Sequence, residues 1–377
     1  MKVTCSQENL AKGLGIVGRA VSVRSTLPVL GNVLLSSDNG RLKLAATNLE
    51  IVIICWIEAR ILEEGSITVP ARIFNDLVNA LPQEQIDLQL NQETQTLHIA
   101  CARTEANVKG IPAEEFPAVP ENQTDQRVRI DAAEFKEMIN QVVFAAAVDD
   151  ARPTLTGINT HFQSSTIKMA ATDGFRLSVR EAKCENSMNA PQSVILPARA
   201  LTELARIMGD GSEYVEITLT GSRGQVMFEL DTVRMISQTI DGNFPDFTSV
   251  MPVSHKTRTV LNTASFLKAC KTANIFAREA SHTARVRIEP DNELMPGYAT
   301  ISATSAETGN NIAQIDAIVE GRGIELNFNV KYITDVLSVI STPQVALETN
   351  STTEPGVIKP VGKDDFVHII MPMQFGR

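Results

Sequence analysis

Gly13, Gly15 and Gly18 spell G-x-G-x-x-G, a spacing that can cradle a dinucleotide pyrophosphate, and Asp38 stands twenty residues beyond the last of them, where a carboxylate could hold a ribose. Their context argues against that chemistry. The glycines fall inside an amphipathic helical pattern, eight residues or more after the apparent strand Met1 to Cys5, and Asp38 belongs to a Ser-Ser-Asp-Asn-Gly hairpin turn. They read instead as small residues for close helix packing. His98, His161, His255, His282 and His368 fall in no His-Glu-x-x-His or other close metal-ligand spacing, and no G-x-S-x-G occurs. The adjacent acids Asp149 and Asp150, Glu114 and Glu115, and Asp364 and Asp365 point to opposite faces of a strand or into solvent at a loop, which does not suit paired acid and base work. The expectation is no catalytic residue, no cofactor and no metal.

Composition narrows the class further. A chain of 377 residues, 43% hydrophobic and 21% charged, is long enough for two or three buried cores. Its longest apolar run, Ile51 to Ile57, is far below the roughly 18 residues that span a bilayer, and no basic region followed by a long apolar stretch opens the sequence. Membrane insertion and export are not expected, and a cytoplasmic protein is. Cys5, Cys55, Cys101, Cys184 and Cys270 lie far apart without C-x-x-C, as buried thiols in a reducing compartment do. A net charge of -10 is unlike that of an ordinary nucleic-acid binder, so any contact with DNA must come from a local basic surface.

The elements repeat. ITVPARIFNDLVNAL at 67 to 81, VILPARALTELARIM at 194 to 208 and LNFNVKYITDVLSVI at 326 to 340 each read as a strand entering an amphipathic helix. Aligned on Pro70, Pro197 and Asn329, apolar residues coincide as Phe74/Leu201/Ile333, Leu77/Leu204/Val336, Val78/Ala205/Leu337 and Leu81/Met208/Ile340, one helical face at i, i+3, i+4, i+7. The same phase recurs in LAATNLE at 44, MAATDGF at 169 and ISATSAE at 301, and in EEFPAV at 114, GNFPDF at 242 and the terminal IIMPMQF. Three units of roughly 125 residues follow, bounded as 1–121, 122–253 and 254–377 with polar linkers near 120–127 and 252–259. Each unit opens with a further helix: Gln7 to Val21, one from Asp131 with Glu134 as a cap-like pair, and one from near Asn262. Runs such as VLLSSDNGRLKLAAT and VEITLTGSRGQVMFEL alternate around turn residues as antiparallel hairpins do. The fold class is α+β, two helices packed on antiparallel sheet in each repeat.

LPVLGNVLL at 27–35, ATDGFRLSV at 171–179, GNFPDF at 242–247, FNVKYITDVL at 328–337 and the terminal Met-Pro-Met at 371–373 together resemble the bacterial β sliding clamp, the β subunit of DNA polymerase III holoenzyme, over essentially the whole chain. The resemblance implies three DNA-clamp domains, a head-to-tail homodimer of six domains closed into a ring, and a processivity factor that encircles duplex DNA without reading sequence. Twelve helices spaced about 9 Å apart around such a ring leave an opening of ~24 Å, room for a hydrated duplex. Implied partners are the replicative polymerase's catalytic subunit, the clamp loader, other polymerases and repair proteins that dock short peptides, and a second copy of the chain, with no membrane. The rival reading is a triplicated protein-interaction scaffold that does not encircle DNA.

The repeat itself puts a cation at one position of every unit, Arg72, Arg199 and Lys331, where charge could follow phosphates. The resemblance adds Arg24 as a DNA contact, and Lys136, Lys268 and Lys271 on the opening helices are further candidates. It also implies an apolar peptide cleft. Leu155, Thr172, Gly174, Phe175, Arg176, Leu177, Pro245 and Val250 would form one wall, and Asn329, Tyr332, Ile369, Met371, Pro372 and Met373 the other. Methionines suit such a surface because they repack around varied ligands. Gln374 and Phe375 stand where the family has Arg and Leu, and Thr283 where an aromatic is usual, which bears on peptide preference. Ala106, Val108, Ile275 and Phe276 match family dimer contacts, with burial inside the protomer as the rival reading for the last two.

Overall fold

The computed structural model describes residues 1–22, 26–119, 127–149, 151–186, 190–209, 211–220, 224–293 and 295–373. Arg24, Asp150, Gln374, Phe375 and most of the first linker lie outside the described residues. The chain forms two compact units, one of residues 1–133, 185–189 and 203–239, the other of 134–184, 190–202 and 240–377, so the middle third of the sequence contributes to both.

Among the described residues six α-helices appear where the apolar periods place them: α1 (Gln7–Val17), α2 (Ala71–Ala80), α3 (Ala132–Val142), α4 (Ala198–Ile207), α5 (Thr263–Ala277) and α6 (Val330–Leu337). Ser6 caps α1 by accepting from the Asn9 amide at 3.2 Å, and Leu10, Leu14 and Val17 face the core. The helix stops four residues short of the expected Val21, because Gly18 ends it and a 3₁₀ turn Gly18–Ala20 follows. Of the three glycines, only Gly13 is packed: a Cβ there would come within 2.6 Å of Leu44 Cδ1, whereas Gly15 and Gly18 face open space. Asp38 accepts the indole N–H of Trp56, on the strand Ile51–Glu58, at 2.7 Å. In α2 and α6 the aligned positions Phe74, Val78, Ile333, Val336 and Leu337 are buried as the repeat requires.

The first unit holds two antiparallel sheets. The five-stranded one runs Arg60–Glu63, Lys2–Ser6, Gln85–Asn91, Thr96–Cys101, Thr104–Lys109. The nine-stranded one runs Glu185–Asn186, Val128–Asp131, Tyr214–Thr220, Gln225–Glu229, Val233–Gln238, Ile51–Glu58, Arg41–Thr47, Asn32–Asp38, Ser66–Pro70. The expected hairpin at 33–47 turns at Asn39 and Gly40, with φ of 50° and 78°, the left-handed pair of a type I′ turn. The second unit is built on one twelve-stranded sheet: Gln192–Pro197, Gly157–Phe162, Thr166–Thr172, Arg176–Lys183, Phe366–Ile370, Gly356–Pro360, Gln344–Thr349, Thr257–Asn262, Gly309–Gly321, Tyr298–Ser305, Thr283–Glu289, Ile324–Asn329. Helices α5 and α6 pack on its last third, around Phe266, Cys270, Phe328 and Ile333.

All five cysteines are free. Four are buried and Cys184 is half-buried; burial pushes the Cys5 thiol up to about 12 and those of Cys55 and Cys184 to about 11, which leaves them inert at neutral pH. Among the described residues no helix is long and apolar enough to cross a membrane.

Candidate functional site

Thr166–Thr172 and Arg176–Lys183 are joined by a turn that its own side chains hold. Thr172 Oγ1 donates to the Arg176 carbonyl at 2.6 Å and accepts from the Gly174 amide at 3.0 Å, while Asp173 Oδ1 accepts from the amides of Phe175 (2.9 Å) and Arg176 (3.1 Å). Gly174 sits at φ +93°, a backbone conformation that favours glycine, with Arg152 Nη1 2.9 Å from where a Cβ would stand. The turn throws Phe175 outward, 62% exposed, and its carbonyl accepts from the Met371 amide at 2.9 Å, tying the turn to the strand Phe366–Ile370.

Between these pieces lies an apolar cleft of ≈ 190 Å³, wholly within the second unit and sized for one or two side chains. Leu155, Leu177 and Ile369 are buried in its floor, in continuity with a small core of Ala170, Val179 and Val357. Phe175, Val250 and Met371 form an exposed rim. Thr172, Gly174, Arg176 and Pro245 complete the expected lining. Asp246 and Phe247 also line it and were missed, although both stand in the quoted GNFPDF run. Asp246 holds the 3₁₀ turn Thr248–Val250 by accepting from the Thr248 amide (2.9 Å) and hydroxyl (2.6 Å); these bonds hold its carboxyl below the usual carboxylate range.

Four expected wall residues stand elsewhere. Asn329 caps α6, accepting from the Lys331 amide at 3.0 Å. Tyr332 lies under the Arg176 guanidinium at 4.3 Å, behind the cleft. Pro372 is half-buried beyond the lining, and Met373 is drawn away, its amide bonded to the Asn327 carbonyl at 2.8 Å and its sulfur accepting from Thr283 Oγ1 at 3.2 Å. Thr283 is buried there and takes no part in the cleft.

Arg176 is the buried strut of this region. It donates to Asp173 Oδ2 (3.0 Å), Asp335 Oδ2 (2.7 Å) and the Phe144 carbonyl (2.5 Å), a satisfied set that offsets the cost of burying its charge. On the neighbouring strand His368 is fully buried, its Nδ1 2.6 Å from Ser178 Oγ and its ring 5.3 Å from that of Phe144. Burial first, then the Arg176 charge, pushes its pKa down to about 3, so the imidazole is neutral.

The three repeat cations are all exposed at the second residue of their helices. Arg72 and Arg199 have no ion pair among the described residues, whereas Lys331 is tied to Asp335 at 3.0 Å, the carboxylate it shares with Arg176. Lys268 and Lys271 are exposed on α5 and Lys136 is half-buried on α3. Of the expected dimer residues, Ala106 is half-buried and Val108 buried on Thr104–Lys109, which ends the five-stranded sheet. Ile275 is 60% exposed near the end of α5, and Phe276 packs partly on the core beneath. The acid pairs are structural: Glu114 and Glu115 form a 3₁₀ turn, Asp149 pairs with Arg152 at 3.8 Å, and Asp365 pairs with the buried Arg180.

Repeated helices over sheets joined edge to edge, one cation per repeat and a side-chain-sized cleft define a DNA-clamp architecture. Models of the DNA polymerase III beta subunit match the chain along its length: the N-terminal domain at residues 1–120, the central domain at 129–246 and the C-terminal domain at 248–374. Similar proteins include the beta sliding clamps of Staphylococcus epidermidis, 30% identical over 383 residues with 99% of each chain covered, and of Bacillus subtilis, 30% identical over 385 residues with 99% and 100% covered. The crystal structure of the Bacillus subtilis DNA polymerase sliding clamp superposes with a TM-score of 0.93 at 29% identity over the full length of both chains. The chain belongs to the DNA polymerase III beta subunit family, the bacterial β sliding clamps.

Proposed function

We propose that two copies of this chain, each of three clamp domains bounded as 1–121, 122–253 and 254–377, close head to tail into a ring around duplex DNA. The ring tethers the replicative polymerase, the clamp loader and other polymerases and repair proteins, and catalyses nothing itself. It works in the cytoplasm, where the chromosome is copied.

The observation that carries this reading is a strand ladder repeated in register. In the first unit Ile51–Cys55 pairs antiparallel with Val233–Ser237, with Ile53 opposite Met235; in the second Arg176–Arg180 pairs with Phe366–Ile370, with Ser178 opposite His368. Each ladder joins one repeat to the next. The third equivalent strand, Gly309–Gly321, pairs on one edge with Tyr298–Ser305 and on the other only from Gly321 back to Ala317, which leaves that second edge of 309–313 unpaired in the protomer. The strand that would complete it, Thr104–Lys109, is the open end of the five-stranded sheet.

The pairings fix the register. Ala46, Ala171 and Ala303 face Ile53, Ser178 and Asn311, and Ile99, Phe228 and Ile358 face Ala106, Met235 and His368. Asn311 therefore meets the partner's Ala106, and Gly309 the partner's Val108. Phe144 and Ile275 each stand twelve residues after the first residue of α3 and α5; since Phe144 covers His368, Ile275 covers the partner's Ala106. A head-to-tail contact of this kind gives a ring when its rotation closes after a whole number of copies, and two copies supply six domains. Arg72, Arg199 and Lys331 give the ring weak, sequence-independent attraction for phosphates, to which the family resemblance adds Arg24, and the cleft takes partner peptides.

The test is topological. Loaded onto nicked circular duplex with clamp loader and ATP, the protein should stay bound through a salt wash and leave when the circle is cut. Release governed by salt alone, with cutting irrelevant, overturns the reading in favour of a surface-bound scaffold.

A further inference from the structure

The centre of each ladder carries one residue pair, and the three pairs differ in kind. Ile53 opposite Met235 is wholly apolar and buried. Ser178 opposite His368 is polar, buried and mutually bonded at 2.6 Å. On the open edge the equivalent residue is Asn311. Its neighbours at alternate positions, Ala313 and Ile315, pack against the core beneath α5, so period-two alternation turns Asn311 toward the same side. Its Oδ1 is buried and has no hydrogen-bond partner in the protomer, although the residue as a whole remains half-buried rather than enclosed.

We propose that Asn311 makes the contact between copies the easily parted seam of the ring. This rests on the ring reading, in which the residue opposite is the partner's Ala106, whose methyl group offers no donor. With the edge open, Oδ1 is already buried and only the rest of the half-buried amide reaches water; closure under Ile275 and the partner's strand removes that remaining outlet and supplies no replacement. The same position filled by an aliphatic residue, as Ile53 fills it in the first unit, would add apolar contact to the closed seam instead. A single polar residue in an apolar contact lowers affinity while keeping register, as a buried asparagine does between coiled helices. The occupant of this surface is a second copy of the chain, and Asn311 sets how fast it leaves.

The experiment is subunit exchange between two fluorescently labelled preparations of the full chain, read by energy transfer, since affinity changes within one interface fall mainly on the off-rate. Asn311→Val should slow exchange about tenfold or more, a factor of ten corresponding to ~1.4 kcal/mol. Asn311→Ala, with less strand propensity and volume, should move it the same way by less, and serves if the valine variant does not fold. Asn310→Val, one residue along and on the opposite face, should leave the rate within about threefold, as should Thr104→Val, which removes the nearest diagonal hydroxyl of the partner strand. An unchanged or faster Asn311→Val overturns the proposal while leaving the ring. Equal slowing by Asn310→Val attributes the effect to strand propensity, and tenfold acceleration by Thr104→Val shows the amide satisfied across the seam; either also overturns it. A wild-type mass of one 41.0 kDa chain at micromolar concentration would instead remove the ring reading itself.

Discussion

Val250→Asp should abolish most peptide binding without unfolding the protein. Val250 is 48% exposed at the rim of the ≈ 190 Å³ cleft, so roughly 75 Å² of its surface is available to a ligand, worth about 2 kcal/mol at ~25 cal/mol per Å² if fully covered. The aspartate would also stand in the same lining as Asp246, whose carboxylate is already ionised, and covering it with an apolar side chain adds a desolvation cost of about 1 kcal/mol or more. Together these come to about 3 kcal/mol, or roughly a hundredfold in Kd. The assay is fluorescence anisotropy with a labelled synthetic nonapeptide carrying adjacent leucine and phenylalanine, alongside thermal unfolding of both proteins. Because half of Val250 already faces water, its loss should change stability by about 0.5 kcal/mol or less. A Kd within about threefold of wild type, with the peptide still displaced by unlabelled peptide, would refute the assignment of this cleft as the docking site.

Arg72→Ala with Arg199→Ala should lower the slope of log affinity against log salt on a short duplex by about 0.9 for each phosphate that the arginines no longer neutralise, measured by anisotropy titration. Lys331→Ala should change it less, because its ammonium is already held by Asp335. Ile275→Asp should yield monomers in light scattering at micromolar concentration, a loss of about 2 kcal/mol or more at an apolar contact. His368, neutral in the fold with its pKa pushed to about 3, takes up its proton only on unfolding, so wild-type stability should fall below pH ~6.5 by about 1.4 kcal/mol per unit, or ~2 kcal/mol at pH 5. Urea unfolding of wild type against His368→Gln isolates that slope, and parallel pH curves for the two proteins would show the histidine does not supply it.

What the sequence made legible was whatever its own periodicity encodes. The helices carry their apolar face at i, i+3, i+4, i+7, and Phe74, Val78, Ile333 and Val336 are buried accordingly. Ten of the fourteen peptide contacts that the resemblance implied line the cleft, nine of them in three short runs and Leu155 apart from these. The rest depended on distance. Nothing in the spacing links Arg176 to Asp335, 159 residues away, which puts a second cation on the carboxylate that holds Lys331. Nor could it be read that Thr283 and Asn327 capture Met373 and hold it away from the cleft. Asp246 and Phe247 could have been found, since the Phe-Pro run that flagged Pro245 includes them.

The ladders suggest how one backbone plan is made to serve two purposes. Five consecutive residue pairs join strands in the first unit and again in the second, and that pairing is indifferent to the side chains that ride on it. The central side chains are free to differ. An aliphatic residue and a methionine suit a joint that never opens, and a bonded serine and neutral histidine suit one placed directly behind a ligand cleft, where Leu177 and Ile369 occupy the other face of the same two strands. A joint that must part to admit DNA needs the same register with less cohesion. Gly309, Asn311 and Ala313 offer small or polar side chains to that edge, where the corresponding edge of the first unit offers Ile51, Ile53 and Cys55. In the two ladders of the protomer, register and strength are thus set by different atoms, the first by backbone amides that the two share and the second by side chains that they do not.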